Sequence, residues 1–132
     1  MVCDISAESV TRTVREMFLE ANTVLPEDMR ALIRRSAAEE RSPLGRSVLS
    51  EILENIDLAE REKTPLCQDC GMAVVFLDLG QDVHICGGSL ESAVDEGVRQ
   101  AYRDGYLRAS VVSDPLFDRK NTQVGGIAAN RC

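Results

Sequence analysis

The chain has 132 residues, with 15 Lys or Arg against 22 Asp or Glu, and its formal net charge is −7. This acidic balance argues against nucleic acid or an anionic membrane surface as the main partner, because phosphate groups repel a negative surface. The apolar fraction of 44% is that of an ordinary globular protein, and the length indicates one domain. No apolar run approaches the roughly 20 residues that span a bilayer, and the N-terminus lacks a signal-peptide pattern. We therefore expect a soluble, cytoplasmic protein.

The first 63 residues contain a single glycine and are expected to be helical, whereas residues 64–132 hold the other eight glycines. Three helices are predicted: one from about residue 6 to 22, one after Pro26, and one that opens at Ser42-Pro43, where Ser is a typical N-cap and Pro suits the first turn. Apolar residues recur in all three at helical spacing, so we expect them to face a core. They are Val10, Val14, Met17, Phe18, Ala21, Met29, Leu32, Ile33, Ala37, Leu44, Val48, Leu49, Ile52, Leu53 and Ile56.

The second part starts at Thr64-Pro65, because the residue before a proline is disfavoured in a helix. Residues 72–79 and 83–85 have strand length and flank a Gly-Gln-Asp turn, which predicts a β-hairpin. Ser89 is predicted to cap a fourth helix that ends before Gly105. The inner face of this helix is expected to consist of Leu90, Ala93, Val94, Val98, Ala101 and Tyr102. The order of elements predicts an α+β fold, with an N-terminal helical layer followed by a small sheet and a further helix.

The segment from Thr64 to Gly71 is the densest candidate for chemistry, because Cys67-Gln-Asp-Cys70 places two thiols, an amide and a carboxylate side by side. A thiolate can bind a soft or borderline metal, and a neighbouring carboxylate can orient or accept a proton. The structural alternative is a turn with two buried cysteines. Arg108 is a cationic candidate, since Arg recognises carboxylates through paired hydrogen bonds.

A non-catalytic zinc or structural module is an alternative from a different functional class. Its four ligands would be Cys67, Cys70, His84 and Cys86. Their spacing departs from the usual pair of Cys-x-x-Cys motifs, and a histidine in a hairpin is more often structural than a ligand.

An ordered series of motifs runs through residues 6–122. The motifs of the second part are Pro65-Leu-Cys-Gln-Asp-x-Gly-Met-Ala-Val-Val-Phe76, Gly80-Gln-Asp-Val-His84, Glu96-Gly-Val-Arg99 and Gly105-Tyr-Leu-Arg-x-Ser-Val-Val112. Those of the helical part are Glu20-Ala-Asn22, Leu25-Pro-Glu-Asp28 and Ser42-Pro-Leu-Gly45. Together they resemble the class I fumarate hydratase family, and within it the N-terminal part of the alpha subunit. The related L-tartrate dehydratase alpha subunit shares these motifs.

The resemblance implies a hydro-lyase that interconverts fumarate and (S)-malate, a step of the tricarboxylic acid cycle, at a [4Fe–4S] cluster held by three cysteines. Cys67 resembles the first cluster ligand. Gln68 and Asp69 resemble residues that line the substrate site, with Asp69 in proton transfer, and Arg108 resembles an arginine that binds a substrate carboxylate. The implied partners are a small dicarboxylate and a beta subunit or C-terminal domain, within a homo- or hetero-oligomer. L(+)-tartrate dehydration is the alternative within the enzyme class.

The chain departs from the family pattern at two places. Cys70 stands where the family usually has Thr, and after Lys120-Asn-Thr122 the chain continues with an unrelated tail. We therefore expect residues 1–132 to be a truncated alpha catalytic domain that carries one of the three cluster ligands, with a helical part at 1–63 and a mixed part with the site loop at 64–132. Such a chain is expected to be inactive alone and to expose apolar surface that favours oligomers. An inactive remnant is the remaining alternative.

Overall fold

The computed structural model describes residues 3–117, 119–122 and 127–128, the last two by their backbone. The elements in chain order are β1 (Cys3–Ser6), α1 (Ala7–Thr23), α2 (Glu27–Glu39), α3 (Pro43–Glu62), β2 (Ala73–Val74), β3 (Val83–Cys86), α4 (Leu90–Asp104) and β4 (Ile127–Ala128). This succession of helices, short strands and a further helix confirms the predicted α+β fold. In the described part of the chain, no helix combines the length and apolar character that crossing a membrane requires.

The chain divides into two compact units. Unit 1 comprises residues 1–19 and 68–132, and unit 2 comprises residues 20–67. The boundaries fall inside α1 and between Cys67 and Gln68, so the Cys67-Gln-Asp-Cys70 motif begins at the last residue of unit 2 and continues into unit 1.

In unit 2, α2 packs against α3, and local signals in the sequence set the ends of α3. The Ser42 hydroxyl accepts a hydrogen bond from the backbone N–H of Gly45 at 3.3 Å, as the N-cap prediction requires. Lys63 ends the helix in the left-handed conformation (φ 54°). Ile56 and Ala59 are buried on the inner side of this helix.

The prediction that the apolar stripes of α2 and α3 face a core is wrong for half of their residues. Large side chains that remain exposed are Met29, Leu32, Leu44, Val48 and Ile52, and none of the α2 residues is buried. The physical reason is that a two-helix layer offers each helix only one narrow contact, so a wide stripe keeps part of its area in water. Ion pairs contribute to this contact: the Arg30 guanidinium lies 3.0 Å from Asp57 and 2.5 Å from Glu60.

Unit 1 is built on the contact between α1 and α4. The Thr11 hydroxyl donates to the carbonyl of Ala93 at 2.9 Å, and a Cβ at Gly97 would lie 2.6 Å from the carbonyl oxygen of Thr11. The absence of a side chain at Gly97 therefore allows the two helices to approach closely. The core cluster on this contact consists of Val14, Ala73, Val94, Val98, Tyr102 and Leu107.

Helix α4 follows its prediction closely. The Ser89 hydroxyl accepts from the N–H of Ser92 at 3.1 Å, Gly105 follows the last turn, and the predicted inner face is buried from Ala93 to Tyr102. On α1, Val14 is buried as predicted, whereas Met17 is exposed, which corrects its assignment to the core.

The predicted β-hairpin is wrong. Strand β3 pairs with β1, and β2 pairs with β4, both in parallel, so residues 72–79 and 83–85 do not pair with each other. Only Ala73–Val74 of the long apolar run forms a strand. The pattern of apolar residues identifies strand-forming segments but carries no information about a partner that lies far away in the chain.

Candidate functional site

The segment that carries Cys67 starts from a firmly held residue. Leu66 donates its N–H to the carbonyl of Asn22 at 2.8 Å, and its own carbonyl accepts from the Asn55 side-chain amide at 2.8 Å. Both backbone groups of Leu66 are thus satisfied within unit 2. Cys67, Gln68 and Asp69 follow directly, and all three residues are exposed.

The other end of the segment is attached to the chain that follows α4. The Cys70 sulfur accepts a hydrogen bond from the backbone N–H of Arg108 at 3.2 Å. Cys70 and Ala109 also pack against the core cluster of unit 1. Gly71 has a φ of +63°, and its carbonyl accepts from the Tyr102 hydroxyl at 3.1 Å. The structure therefore brings Arg108 to the motif that contains Gln68 and Asp69, across 38 positions of sequence between Cys70 and Arg108.

Hydrogen bonds from Asn121 and Thr122 hold the segment that follows Arg108. The side-chain amide of Asn121 donates to the carbonyl of Ala109 at 2.6 Å, and Val112 and Asn121 form an antiparallel bridge. Thr122 donates both its N–H (2.9 Å) and its hydroxyl (3.1 Å) to the carbonyl of Val111. Asn121 and Thr122 thus act as positioning residues for the chain beside Arg108.

Sequence reasoning missed the positioning role of Cys70, Tyr102 and Asn121. The buried-face pattern of α4 included Tyr102, and a buried tyrosine usually has a hydrogen-bond partner. Its partner, Gly71, lies 31 positions away and was not identifiable from the pattern. Burial, followed by the nearby Cys70 thiol, raises the pKa of Tyr102, which keeps its phenol a proton donor.

A separate polar cluster lies on the sheet formed by β1 and β3. His84 Nδ1 is 3.3 Å from Asp4 Oδ1 and 3.5 Å from Cys86 Sγ. Burial, followed by the adjacent Asp4 carboxylate, raises the pKa of the Cys86 thiol. Among the residues that the structure describes, this is the one group with three metal-binding side chains close together. It contains two of the four predicted zinc ligands but neither Cys67 nor Cys70.

The described cysteines Cys3, Cys67, Cys70 and Cys86 carry thiols rather than disulfides. Cys67 offers an exposed sulfur, Cys70 directs its sulfur to Arg108, and Cys86 belongs to the cluster on the sheet. Within the described ranges, three thiols do not meet at one place. Residues 123–132, for which a departure from the family pattern is expected, lie outside the described residues, apart from the backbone of 127–128.

Comparisons with known proteins agree on one family. The family model described as Fumarate hydratase (Fumerase) matches residues 11–129. The chain is 32% identical over 117 residues to a putative L(+)-tartrate dehydratase subunit alpha of Methanocaldococcus jannaschii, which covers 88% of this chain and 41% of that protein. It is 30% identical over 125 residues to the aerobic class I fumarate hydratase of Escherichia coli K12, which covers 94% of this chain and 22% of that enzyme.

A further relative is the L(+)-tartrate dehydratase subunit alpha of Escherichia coli K12, 25% identical over 117 residues, or 89% of this chain and 38% of that subunit. The chain thus spans 41% or less of the length of these three relatives.

Proposed function

The chain belongs to the fumarate hydratase (Fumerase) family of hydro-lyases, and from this premise we propose that it forms the N-terminal portion of an alpha-type catalytic domain that interconverts fumarate and (S)-malate. The observation that carries the proposal is the hydrogen bond of 3.2 Å from Arg108 N–H to Cys70 Sγ. This bond links a cationic residue to a segment that carries a carboxylate and an amide. A dicarboxylate substrate needs these groups together.

Each of the proposed residues has a distinct task. The Arg108 guanidinium binds one substrate carboxylate, and the Gln68 amide donates a hydrogen bond to a substrate oxygen. Dehydration of malate removes a proton from one carbon and a hydroxide from the next. The Asp69 carboxylate takes this proton and returns it in the reverse direction. The packing of half-buried Cys70 against the core, and its hydrogen bond from Arg108 N–H, hold the backbone of Arg108 at the segment that carries Asp69.

The [4Fe–4S] cluster that the family implies would find one ligand among the described residues, the exposed sulfur of Cys67. When bound, a cluster with an open iron supplies a Lewis acid for a substrate oxygen. We assign the other two ligands to parts of the enzyme beyond the described residues, within the rest of the alpha domain. The beta subunit or C-terminal domain is the proposed partner, in an oligomer, and the proposed compartment is the cytoplasm.

L(+)-tartrate dehydration has equal support as the reaction, because two of the relatives carry that activity in their names. Tartrate differs from malate by a second hydroxyl group. The two reactions therefore share the carboxylate-binding role of Arg108 and the proton transfer by Asp69, and substrate comparison distinguishes them.

The test uses the complete enzyme that contains these residues, assembled with its beta part and loaded with iron and sulfide without oxygen. Hydration of fumarate and dehydration of malate and tartrate are then measured. Replacing Arg108 by Gln should lower kcat/KM on the order of 100-fold, because an unpaired substrate carboxylate costs about 2–5 kcal/mol. Arg119→Gln, a change at another exposed arginine of the same unit, is the matched control and should retain activity.

Two further variants separate the tasks. Asp69→Asn should lower kcat much more than it raises KM, since it removes a proton acceptor and leaves the binding groups in place. Cys67→Ser should reduce the iron–sulfur absorbance of the loaded enzyme. The proposal is overturned if the wild-type enzyme, with its cluster verified, converts none of the three acids.

A further inference from the structure

The register of the β1–β3 pair places three metal-binding side chains on one face. Asp4 lies beside His84, and Ser6 lies beside Cys86, in the parallel ladder. Because side chains alternate along a strand, His84 and Cys86 share a face with Asp4, whereas Ile5 is on the opposite face. Regular backbone hydrogen bonding, rather than a loop, therefore holds the three groups together.

The distances within this cluster match those between the ligands of a tetrahedral metal ion. Zinc bonds to N, O and S donors are about 2.0–2.3 Å long, so neighbouring ligand atoms of a tetrahedral site lie about 3.3–3.8 Å apart. The observed separations are 3.3 Å from His84 Nδ1 to Asp4 Oδ1 and 3.5 Å from His84 Nδ1 to Cys86 Sγ. All three ligand atoms lie within 4.8 Å of one another. A metal ion can thus be bound with little movement of the side chains.

We propose that Asp4, His84 and Cys86 form a binding site for a divalent transition-metal ion, with Zn²⁺ as the expected occupant. An imidazole and a thiolate disfavour the hard cations Mg²⁺ and Ca²⁺, which select oxygen ligands, whereas Zn²⁺ accepts N, O and S donors. The side chains of Asp4 and His84 are each 69% exposed, so an ion can enter from solvent and a water molecule can complete the coordination. The site is independent of the proposed hydro-lyase residues.

The test is a titration of the purified, reduced and metal-free chain with Co²⁺, which reports thiolate coordination through a charge-transfer band in the near ultraviolet. A saturable band with one Co²⁺ per chain, displaced by added Zn²⁺, is the expected result. Cys86→Ser should abolish the band. Asp4→Asn and His84→Gln should each weaken Co²⁺ binding at least about tenfold, since even loss of an outer-shell partner costs about 10–100-fold.

Two controls assign the signal to this site. Cys3→Ser changes a thiol on the same strand but on the opposite face, and should leave the titration unchanged. The double variant Cys67→Ser/Cys70→Ser removes the Cys-x-x-Cys pair and should also retain the band. Loss of the band in the double variant would assign the metal to that pair and overturn the proposal.

A measurement on the unaltered chain avoids any folding defect in the variants. Zn²⁺ should protect Cys86 from alkylation by iodoacetamide, read out by peptide mass spectrometry, and should leave the exposed Cys3 reactive. Equal alkylation of Cys86 with and without Zn²⁺, or a titration without saturation, would contradict the site.

Discussion

The phenol of Tyr102 connects α4 to the segment that precedes β2. The side chain is buried, and its hydroxyl donates to the carbonyl of Gly71 at 3.1 Å. Tyr102→Phe removes this hydrogen bond and keeps the ring, so we expect the free energy of unfolding to fall by about 1 kcal/mol in urea denaturation. Tyr106→Phe is the matched control, because the ring of Tyr106 is 89% exposed. A loss of stability as large in Tyr106→Phe as in Tyr102→Phe would contradict this role.

Asp104 forms two ion pairs, one with Arg15 of α1 and one with its neighbour Arg103 on α4, and these make part of the stability dependent on pH. The carboxylate accepts hydrogen bonds from Arg103 Nε and from Arg15 Nε, both at 2.8 Å, and the two guanidinium groups lower its pKa from 3.8. A carboxylate with a lowered folded-state pKa stabilises the fold above its unfolded-state pKa. This contribution is lost as the pH falls through the folded-state value.

Asp104→Asn should therefore lower the urea midpoint at pH 7, and the difference from the wild type should shrink as the pH falls below about 3.8. Arg15→Gln removes one of the two partners and should reproduce part of the effect. A difference in midpoint that stays constant from pH 7 to pH 2.5 would show that the ion pairs do not contribute through the charge of Asp104.

The contact between α1 and α4 depends on the missing side chain at Gly97. A methyl group there would lie 2.6 Å from the carbonyl oxygen of Thr11 and 2.8 Å from Val14 Cβ, and both are held by helix packing. Gly97→Ala should thus force the helices apart and cost about 1–3 kcal/mol, despite the better helix propensity of Ala. Thermal and urea unfolding measure this loss.

Gly45→Ala is the control for this substitution. The three atoms nearest to the new methyl group belong to the side chain of Glu40, at 2.8–3.1 Å, and a side chain can shift more easily than helix backbone. Because Ala favours a helix over Gly by about 1 kcal/mol, stability should stay unchanged or rise slightly. If Gly97→Ala were as well tolerated as Gly45→Ala, the close approach of α1 and α4 would not limit the packing.

The helices were predictable because their signals are local. Ser42, Ser89 and Gly105 mark helix ends within a few residues, and each occupies the expected position. The strand pairing was not predictable, because β1 lies 80 positions before its partner β3 and belongs to a segment without a strand pattern of its own. Parallel pairs depend on such distant contacts, and a pattern within one segment does not specify them.

The candidate site likewise has a part that the sequence predicts and a part that it does not. Residue chemistry alone singled out Cys67-Gln-Asp-Cys70, since thiol, amide and carboxylate groups at adjacent positions are visible in the sequence. The connection of this motif to Arg108 depends on the sulfur of Cys70, which a pattern of apolar residues does not place. The role of Asp4 was missed for the same reason, because its neighbours His84 and Cys86 come from another strand.

Many large apolar side chains of the described residues are exposed instead of packed in a core. Large apolar side chains in the segments around β2 and after α4 are exposed: Met72, Val74, Phe76, Leu77, Leu79, Tyr106, Leu116 and Phe117. A small protein rarely leaves so many large apolar groups in water, and exposed patches favour association. The chain also spans 41% or less of the three relatives described above, so these relatives have additional chain with which to cover such a surface.

We therefore expect the isolated chain to associate with itself as its concentration rises, although a net charge of −7 opposes association. Phe76→Ser combined with Phe117→Ser should reduce this association, because the two rings are 90% and 89% exposed. The same change should move the urea midpoint little, since substitutions of exposed residues usually alter stability by less than about 0.5 kcal/mol.

Sedimentation velocity at several concentrations measures the association. Val98→Ser, which replaces a fully buried residue, is the control for general destabilisation. Unchanged association in the double variant would show that the chain associates through another surface, the exposed apolar stripes of α2 and α3.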